Sequence, residues 1–140
     1  MTENYKIIGS FIKDMSSETP DTPTYIFVRD KISKYKLNID INSKAVKDGI
    51  IEVNIILKFL DQPEILKKAY FEITYTSIVK IDEKVSDKKE MEKIILCDVP
   101  NKIYPDLERV FINLLTDSGY PGIKFEKKIN FTELYKQKSN

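Results

Sequence analysis

Histidine is absent from the 140 residues of this chain, and so is tryptophan. Without an imidazole, Ser-His-Asp and Cys-His catalysis are excluded, and both the commonest metal ligand and the usual proton shuttle near neutral pH are missing. Most classes of enzyme are therefore disfavoured. We expect a protein that is not an enzyme and that has no cofactor or metal ion of its own.

Cysteine and long apolar runs are also scarce. The single cysteine, Cys97, cannot form a disulfide within the chain, and the first residues, MTENYKIIGS, lack the apolar stretch of a signal peptide. No uncharged apolar run approaches the ~20 residues that span a bilayer. These absences predict a cytosolic protein without membrane insertion.

Neither sign of charge dominates, because 23 basic and 22 acidic side chains leave a formal net charge of +1. No overall field therefore indicates nucleic acid, an anionic membrane or an acidic substrate as a partner. Hydrophobic residues make up 41% and charged residues 32%, as in a folded globular protein. The length suits one domain, which we predict over residues 1–140.

The first half of the chain alternates apolar and polar side chains, with the two-residue period of a half-buried strand. Four runs show this period: residues 5–14, 37–42, 51–59 and, from about Leu66 to Ile81, a fourth. In the fourth run, Phe71, Ile73 and Tyr75 share one face, and Tyr70, Glu72 and Thr74 share the other. Four successive strands predict an antiparallel sheet.

A long crossing, SSETPDTPTYIFVRDKISK, lies between the first and second predicted strands. Pro20 and Pro23 favour extended or turn conformations there and prevent a regular ladder. The apolar run from Tyr25 to Val28 argues against disorder. We therefore predict an ordered crossing without regular structure, a kind of segment that is often functional.

The second half changes to a helical period. After Ser86 the segment DKKEMEKIIL is helical, and apolar residues from Ile103 to Leu115 recur at helical spacing. We expect this long helix to end at Gly119, a typical C-cap residue, and Pro105 to open or kink it. A short amphipathic helix, NFTELYKQK, follows with Asn130 as its cap.

Candidate chemistry is sparse. Asp14, Glu18 and Glu72 could form an acidic cluster for acid-base chemistry or a cation, but solvated carboxylates are the default interpretation without a phosphate loop or metal motif. Cys97 lies in an apolar helical stretch and is more typical of packed core than of a nucleophile.

Aromatic side chains are a stronger signal. Tyr25 and Phe27 lie in the crossing, whereas Phe131 and Tyr135 lie on the terminal helix. If the crossing packs against that helix, these side chains would line a groove for extended apolar segments of other chains. Ordinary core packing is the alternative.

The order of these features resembles the SecB family of export chaperones over residues 5–135. FIKDMSSETPDTP is similar to the family segment in which a strand ends in Lys-Asp before Ser, Glu and two spaced prolines. The second, third and fourth strands of the family are similar to the segments KLNIDIN, IIEVNIILKF and AYFEITYTSIVKI of this chain. The family's long helix, the Gly and Pro turn after it and the last helix resemble the segment LCDVPNKIYPDLERVFINLLTDSGYPGIKFEKKINFTELY of this chain. Each piece is weak alone, but the collinear set is specific.

The resemblance implies an α+β fold, with a four-stranded antiparallel sheet and a long and a short C-terminal helix on one face. It also implies a homotetramer, built as a dimer of dimers, in the bacterial cytoplasm. The oligomer interface would comprise Phe71, Ile73, Tyr75, Leu107, Phe111 and Leu114. The groove for clients would comprise Pro20, Pro23, Tyr25, Phe27, Phe131, Leu134 and Tyr135.

By the same resemblance, the protein holds unfolded preproteins without ATP and delivers them to the translocation ATPase SecA. The SecA-binding residues would be Asp14, Glu18, Tyr70 and Glu72, which match the family surface for the zinc-bearing C-terminal tail of SecA. Zinc would therefore belong to the partner. Two departures are the near-neutral charge, where the family is commonly acidic, and the absence of a long tail after the last helix.

Two other functions stay open. One is a SecB-like chaperone dedicated to an antitoxin or another cytosolic client, independent of secretion. The other is a scaffold that uses the groove for an apolar ligand or for catalysis, which a closed pocket would favour.

Overall fold

A computed structural model describes residues 4–60, 68–125 and 129–139. The strands are β1 (Tyr5–Glu18), β2 (Lys36–Lys47), β3 (Ile50–Leu60) and β4 (Tyr70–Ile81). They form one sheet in the order β1-β4-β3-β2, with every neighbouring pair antiparallel. The predicted α+β fold is thus confirmed, although the predicted start of the fourth strand at Leu66 lies outside the described residues.

The helices are α1 (Thr22–Arg29), α2 (Lys88–Lys93), α3 (Val99–Asp117) and α4 (Phe131–Ser139). A π-helical turn, Ile94–Asp98, joins α2 to α3. Pro105 lies inside α3, and Pro100 lies in its first turn, directly after the π-helical turn, so the backbone is helical on both sides of each proline. Within the described ranges, none of these helices is long and apolar enough to cross a membrane.

The crossing between β1 and β2 contains helix α1, so the prediction of a crossing without regular structure is wrong. Asp21 caps this helix, because its Oδ1 accepts a hydrogen bond from the Thr24 N–H at 2.8 Å. Pro23 lies in the first turn, where its fixed φ suits a helix. The residues that argued for irregular structure therefore start a helix.

The long helix ends where predicted, beside Gly119. Its φ of +101° lies in the left-handed region that favours glycine. A Cβ there would lie 2.8 Å from Cε1 of Tyr25, whose hydroxyl donates a hydrogen bond to the Gly119 carbonyl at 2.8 Å. Gly119 thus lets α1 pack closely against the end of α3.

The core lies between α3 and the sheet face that it covers, which we call the inner face. Alternate residues of β3 from Val53 to Phe59 are buried there, as the period-two pattern predicts. Phe111 of α3 packs edge-on against Phe59, with the ring centroids 5.9 Å apart. Helix α3 thus covers part of the inner face, and buried residues outside it complete the core, among them Val28, Tyr120 and Phe131.

This burial corrects part of the interface prediction. Four of the six residues predicted to contact another subunit have no exposed surface in the single chain: Phe71, Ile73, Leu107 and Phe111. They were assigned to the interface by the family resemblance, but their side chains are fully buried within one subunit and leave no surface for another. Tyr75 and Leu114 are half-buried at the margin of the core.

Candidate functional site

The opposite side of the sheet, the outer face, carries Tyr70, Glu72 and Thr74 of β4. The antiparallel register pairs Glu18 with Tyr70, Ser16 with Glu72 and Asp14 with Thr74. Residues more than 50 positions apart in the sequence are thereby brought side by side. The structure thus groups all four predicted SecA-binding residues, which we call the acidic cluster: Asp14, Glu18, Tyr70 and Glu72.

A β-bulge in β1 lies directly before the acidic cluster. Phe11 lies opposite Thr76, Asp14 lies opposite Thr74, and the register shifts between Ile12 and Asp14. Without the extra residue, the odd spacing between Phe11 and Asp14 would put them on opposite faces. The bulge therefore keeps Phe11 on the outer face with Asp14, whereas Asp14 and Glu18 share that face because they are four residues apart.

Tyr70 is the centre of the acidic cluster. Its hydroxyl donates a hydrogen bond to Oε1 of Glu72, and the Lys58 Nζ lies 3.7 Å from the same oxygen. This hydrogen bond, then burial, and then the negative charges of Glu72, Asp14 and Glu18 raise the pKa of Tyr70 to about 12. At neutral pH the phenol is therefore a protonated donor among carboxylates. Across the described ranges, no group of three or more His, Cys, Asp or Glu side chains is placed to hold a metal ion.

An open groove of about 1390 Å³ lies beside the edge strand β2. Its lining comes from the end of the crossing, from β2 and β3, from the turn after α3 and from α4. The apolar lining residues are Tyr35, Leu37, Ile39, Phe59, Ile123, Phe125, Ile129 and Leu134. Lys124 and Glu133 are the charged residues among those that line it.

The floor of the groove is continuous with the core. Phe59 contacts Tyr35 and Phe125, with ring centroids 5.4 and 5.7 Å apart, and Phe125 stacks on Phe111 at 6.0 Å. The Tyr35 hydroxyl accepts a hydrogen bond from the Ala69 N–H at 3.0 Å. These contacts hold the aromatic floor in place, so the groove is a preformed apolar surface.

Helix α4 forms one wall of the groove. Asn130 caps it as predicted, accepting a hydrogen bond from the Glu133 N–H at 3.1 Å. Leu134 lines the groove, and it shares a smaller niche of about 80 Å³ with Tyr135 and Leu96. Both spaces also include Ile39, so they adjoin along β2.

The other predicted groove residues lie elsewhere. Tyr25 packs on Tyr120, with centroids 5.3 Å apart, and Phe27 lies beneath the Lys31 Nζ. Phe131 is 1% exposed and contacts Tyr104, so its ring belongs to the core. Pro20 and Pro23 are exposed beside and within the start of α1. Four of these residues lie on or beside α1 and Phe131 lies in the core, so none of the five lines the groove beside β2.

Sequence reasoning missed Tyr35, Phe59 and Phe125 as groove residues. Phe59 was assigned to a strand face without regard to which part of that face the helix leaves uncovered. A usable signal was present, since Tyr35, Leu37 and Ile39 alternate at the start of an edge strand. The predicted helices did not account for burial of these three apolar side chains.

Strand β1 exposes apolar side chains although it is an edge of the sheet. Phe11 is 45% exposed on the outer face and Met15 is 47% exposed on the inner face, and Ile8 and Ile12 are similarly exposed. Edge strands of single-chain proteins usually carry charges or are covered, since unpaired edges bind other strands. This edge is therefore a candidate contact with another chain.

Comparison with known proteins gives a consistent result. The family model for SecB, described as preprotein translocase subunit SecB, matches residues 1–140. A relative from Pelagibacter ubique (strain HTCC1062), provisionally named a protein-export protein SecB, is 91% identical over 140 residues and all of both chains. The protein-export protein SecB of Buchnera aphidicola (strain APS) is 28% identical over 133 residues, 95% of this chain and 91% of that protein.

Among solved structures, the chain is similar to the SecB-like chaperone Rv1957 of Mycobacterium tuberculosis, solved in complex with a ChAD peptide from the HigA1 antitoxin. The TM-score is 0.69, with 11% sequence identity over 91% of this chain and 92% of that one. At this identity the likeness shows a shared fold.

Proposed function

The chain belongs to the SecB family of preprotein translocase subunits, and from this premise we propose that it is a holdase that binds unfolded precursor proteins without ATP and delivers them to SecA. It works in the bacterial cytoplasm and catalyses no reaction. The observation that carries this proposal is the preformed apolar groove of about 1390 Å³ beside β2.

The groove suits extended apolar segments of many sequences. Burial of apolar surface contributes roughly 25 cal/mol per Å² whatever the exact side chain, so affinity follows exposed area more than a short motif. Because β2 is an edge strand, its backbone groups at Leu37 and Ile39 lie along the groove and can pair with a client's main chain. A folded client hides both kinds of group and is not bound.

The acidic cluster on the outer face is the proposed contact for SecA. Tyr70 offers a ring and a hydroxyl, and Asp14, Glu18 and Glu72 surround it with negative charge. A zinc-bearing tail with basic side chains gains steering from the charges and affinity from the ring. The zinc is part of the tail, and client and SecA occupy different sides of the sheet.

Self-association completes the proposed assembly, a homotetramer formed as a dimer of dimers. The exposed apolar edge of β1 supports it, because Phe11, Ile12 and Met15 are each more than 40% exposed. A two-fold pairing of β1 edges would cover these side chains and join two grooves in one particle. Two or more grooves then hold one client by effective concentration.

A dedicated antitoxin client is the second candidate, supported by the shared fold with the Rv1957 chaperone and its bound antitoxin peptide. The same groove would serve both functions, so competition between a precursor and an antitoxin peptide separates them. A small apolar ligand is less well supported, because the groove is open and such ligands usually bury 70–90% of their surface in a pocket.

The experiment is suppression of aggregation of an unfolded precursor in the absence of ATP. Leu134→Ser removes apolar groove surface from a side chain that is 40% exposed, whereas Ile26→Ser removes a similar side chain, 53% exposed, from α1 outside the groove. We expect Leu134→Ser to weaken holding about fivefold, or about 1 kcal/mol, and Ile26→Ser to leave it unchanged. Equal holding by both variants would place the client elsewhere.

A further inference from the structure

A shallow depression of about 610 Å³ lies on the outer face, next to the acidic cluster. Its lining includes side chains from all four strands: Asp14, Asn42, Lys44, Glu52, Asn54 and Thr74. Asp14 belongs to both the depression and the acidic cluster. The two features therefore form one continuous surface on the outer face.

The floor of the depression is a fixed polar network around Asn54. The Asn54 Nδ2 donates hydrogen bonds to Oδ1 of Asn42 and Oε2 of Glu52, both at 2.9 Å, and its Oδ1 accepts one from the Thr76 hydroxyl at 2.5 Å. Asn54 is 6% exposed and Thr76 is fully buried. Because these groups satisfy one another, the floor keeps its shape without a ligand.

The network leaves particular groups available. Oε2 of Glu52 is bound by the Lys13 Nζ at 2.9 Å, and the bonds from Asn54 and Lys13 lower the pKa of Glu52. Lys44, opposite Glu52 in the register, is exposed, and its positive charge also lowers the pKa of Glu52, although no carboxylate of the described residues lies within 4.0 Å of its ammonium. Asn42 uses its oxygen toward Asn54, which leaves its N–H donors for another acceptor.

We propose that this depression is a second subsite of the docking surface and that it binds a carboxylate of the docking segment through Lys44 and Asn42. The inference rests on the proposed function and specifies its partner further. Charge complementarity carries it, since the acidic cluster accepts basic groups, while the far end of the same surface offers the Asn42 amide donors and the exposed Lys44 ammonium, which Glu52 attracts without a contact ion pair.

The register sets the spacing that the partner must have. Glu72 lies opposite Lys58, and Lys44 lies opposite Glu52, so the two ends of the surface are separated by the six positions from 52 to 58 on β3. At about 3.3 Å per residue along the strands, and with about 10 Å across the two strand spacings between β4 and β2, the distance is about 22 Å. An extended docking segment therefore carries its carboxylate about seven residues from the basic group that contacts Glu72.

The probe is a synthetic, zinc-loaded peptide of the C-terminal tail of SecA, titrated by calorimetry into the full chain. Lys44→Glu should weaken binding about tenfold, because it replaces a donor by a repelling carboxylate. Lys47→Glu is the matched control, since Lys47 makes the same charge change on β2 but does not line the depression. Lys47→Glu should alter binding by less than twofold, and circular dichroism melting confirms that both variants fold.

A decisive experiment exchanges the charges of the two proposed partners, Lys44 and an acidic residue of the tail. Among tail peptides in which each acidic residue is changed in turn to lysine, one should bind parent protein weakly and recover on Lys44→Glu. The subsite is refuted if Lys44→Glu and Lys47→Glu bind the tail equally and no peptide is rescued. That result leaves SecA docking intact provided that Asp14→Lys with Glu72→Lys still weakens binding. Unchanged binding in this last variant refutes the docking function itself.

Discussion

The two faces of the sheet are built from alternating residues of the same strands, yet the inner face is held by apolar packing and the outer face carries charged side chains. On β4, Ile73 is fully buried under α3, whereas its neighbour Thr74 lies beside Asp14 on the outer face. The inner face extends through Phe59 into the apolar groove, and the outer face carries charges. Binding to the groove should therefore follow apolar area, and binding to the outer face should weaken as salt screens charges over about 8 Å.

The largest expected effect tests this difference on two adjacent residues. Ile73→Asp places an unpaired carboxylate where the side chain is fully buried, so we expect loss of at least 4 kcal/mol of folding free energy or no folding at all. Thr74→Asp makes the same new side chain on the outer face and should change the free energy of unfolding by less than 1 kcal/mol. Urea denaturation measures both. Similar destabilisation by the two variants would contradict the difference in burial between the two faces.

The edge strand β1 sharpens the comparison, because it is apolar on both faces. Phe11→Lys combined with Met15→Lys puts charges on exposed positions of the proposed subunit contact, so the particle should dissociate to a smaller species. Light scattering at micromolar concentration measures the mass. Val46→Lys, at a residue of β2 that is 56% exposed, is the control and should keep the parent mass. A monomeric parent, or a tetrameric double variant, would argue against this interface.

The regular parts of the fold could be predicted because periodicity records burial directly. Alternation over Ile51 to Phe59 indicates a strand with one buried face, and that face is buried in β3. The crossing could not be predicted in the same way. Its two prolines suit extended segments as well as first helical turns, and the choice depends on the Asp21 cap and on packing of Tyr25 against Tyr120.

The acidic cluster and the groove could be predicted from the sequence to different degrees. Asp14, Glu18 and Glu72 were named as a possible acidic cluster from the sequence, and the resemblance added Tyr70. The pairing of β1 with β4 that brings these residues together is a tertiary contact, which local periodicity does not predict. The client groove stays a prediction, and of its seven residues only Leu134 lines the open groove beside β2. The floor of that groove, at Phe59 and Phe125, is set by packing against Phe111 of α3, which local sequence does not predict.

A smaller effect is expected from reversing charge on the outer face. Asp14→Lys with Glu72→Lys should weaken binding of the SecA tail by about 2 kcal/mol, or about thirtyfold, although each exposed carboxylate alone contributes about 0 to 1 kcal/mol. Calorimetric titration at two salt concentrations measures the loss. Asp48→Lys with Glu83→Lys changes the net charge equally at exposed positions outside the cluster and should bind like the parent. Holding of unfolded clients should be unaffected, since the groove lies on the other side.

The smallest effect concerns the proton of Tyr70. Its pKa of about 12 lies above the ordinary value of 10.0, chiefly because the hydroxyl donates to Glu72. A folded pKa raised above the unfolded value means that the contribution to stability is complete below about pH 10. It is lost as the pH rises through about 12, because the folded state then gives up a proton that the unfolded chain has already released. Tyr70 is partly solvated, so the effect on stability is small and is better followed spectroscopically.

Ultraviolet absorbance of tyrosinate separates this group from the other tyrosines when parent and Tyr70→Phe titrations are subtracted. The difference should show one phenol titrating near pH 12. In a Glu72→Gln background, the same subtraction should move that step toward 10, because the largest cause of the shift is removed while the fold is kept. Burial alone would leave the step near 12 in both backgrounds. That outcome would remove Glu72 as the partner of Tyr70 and leave the outer face without its central hydrogen bond.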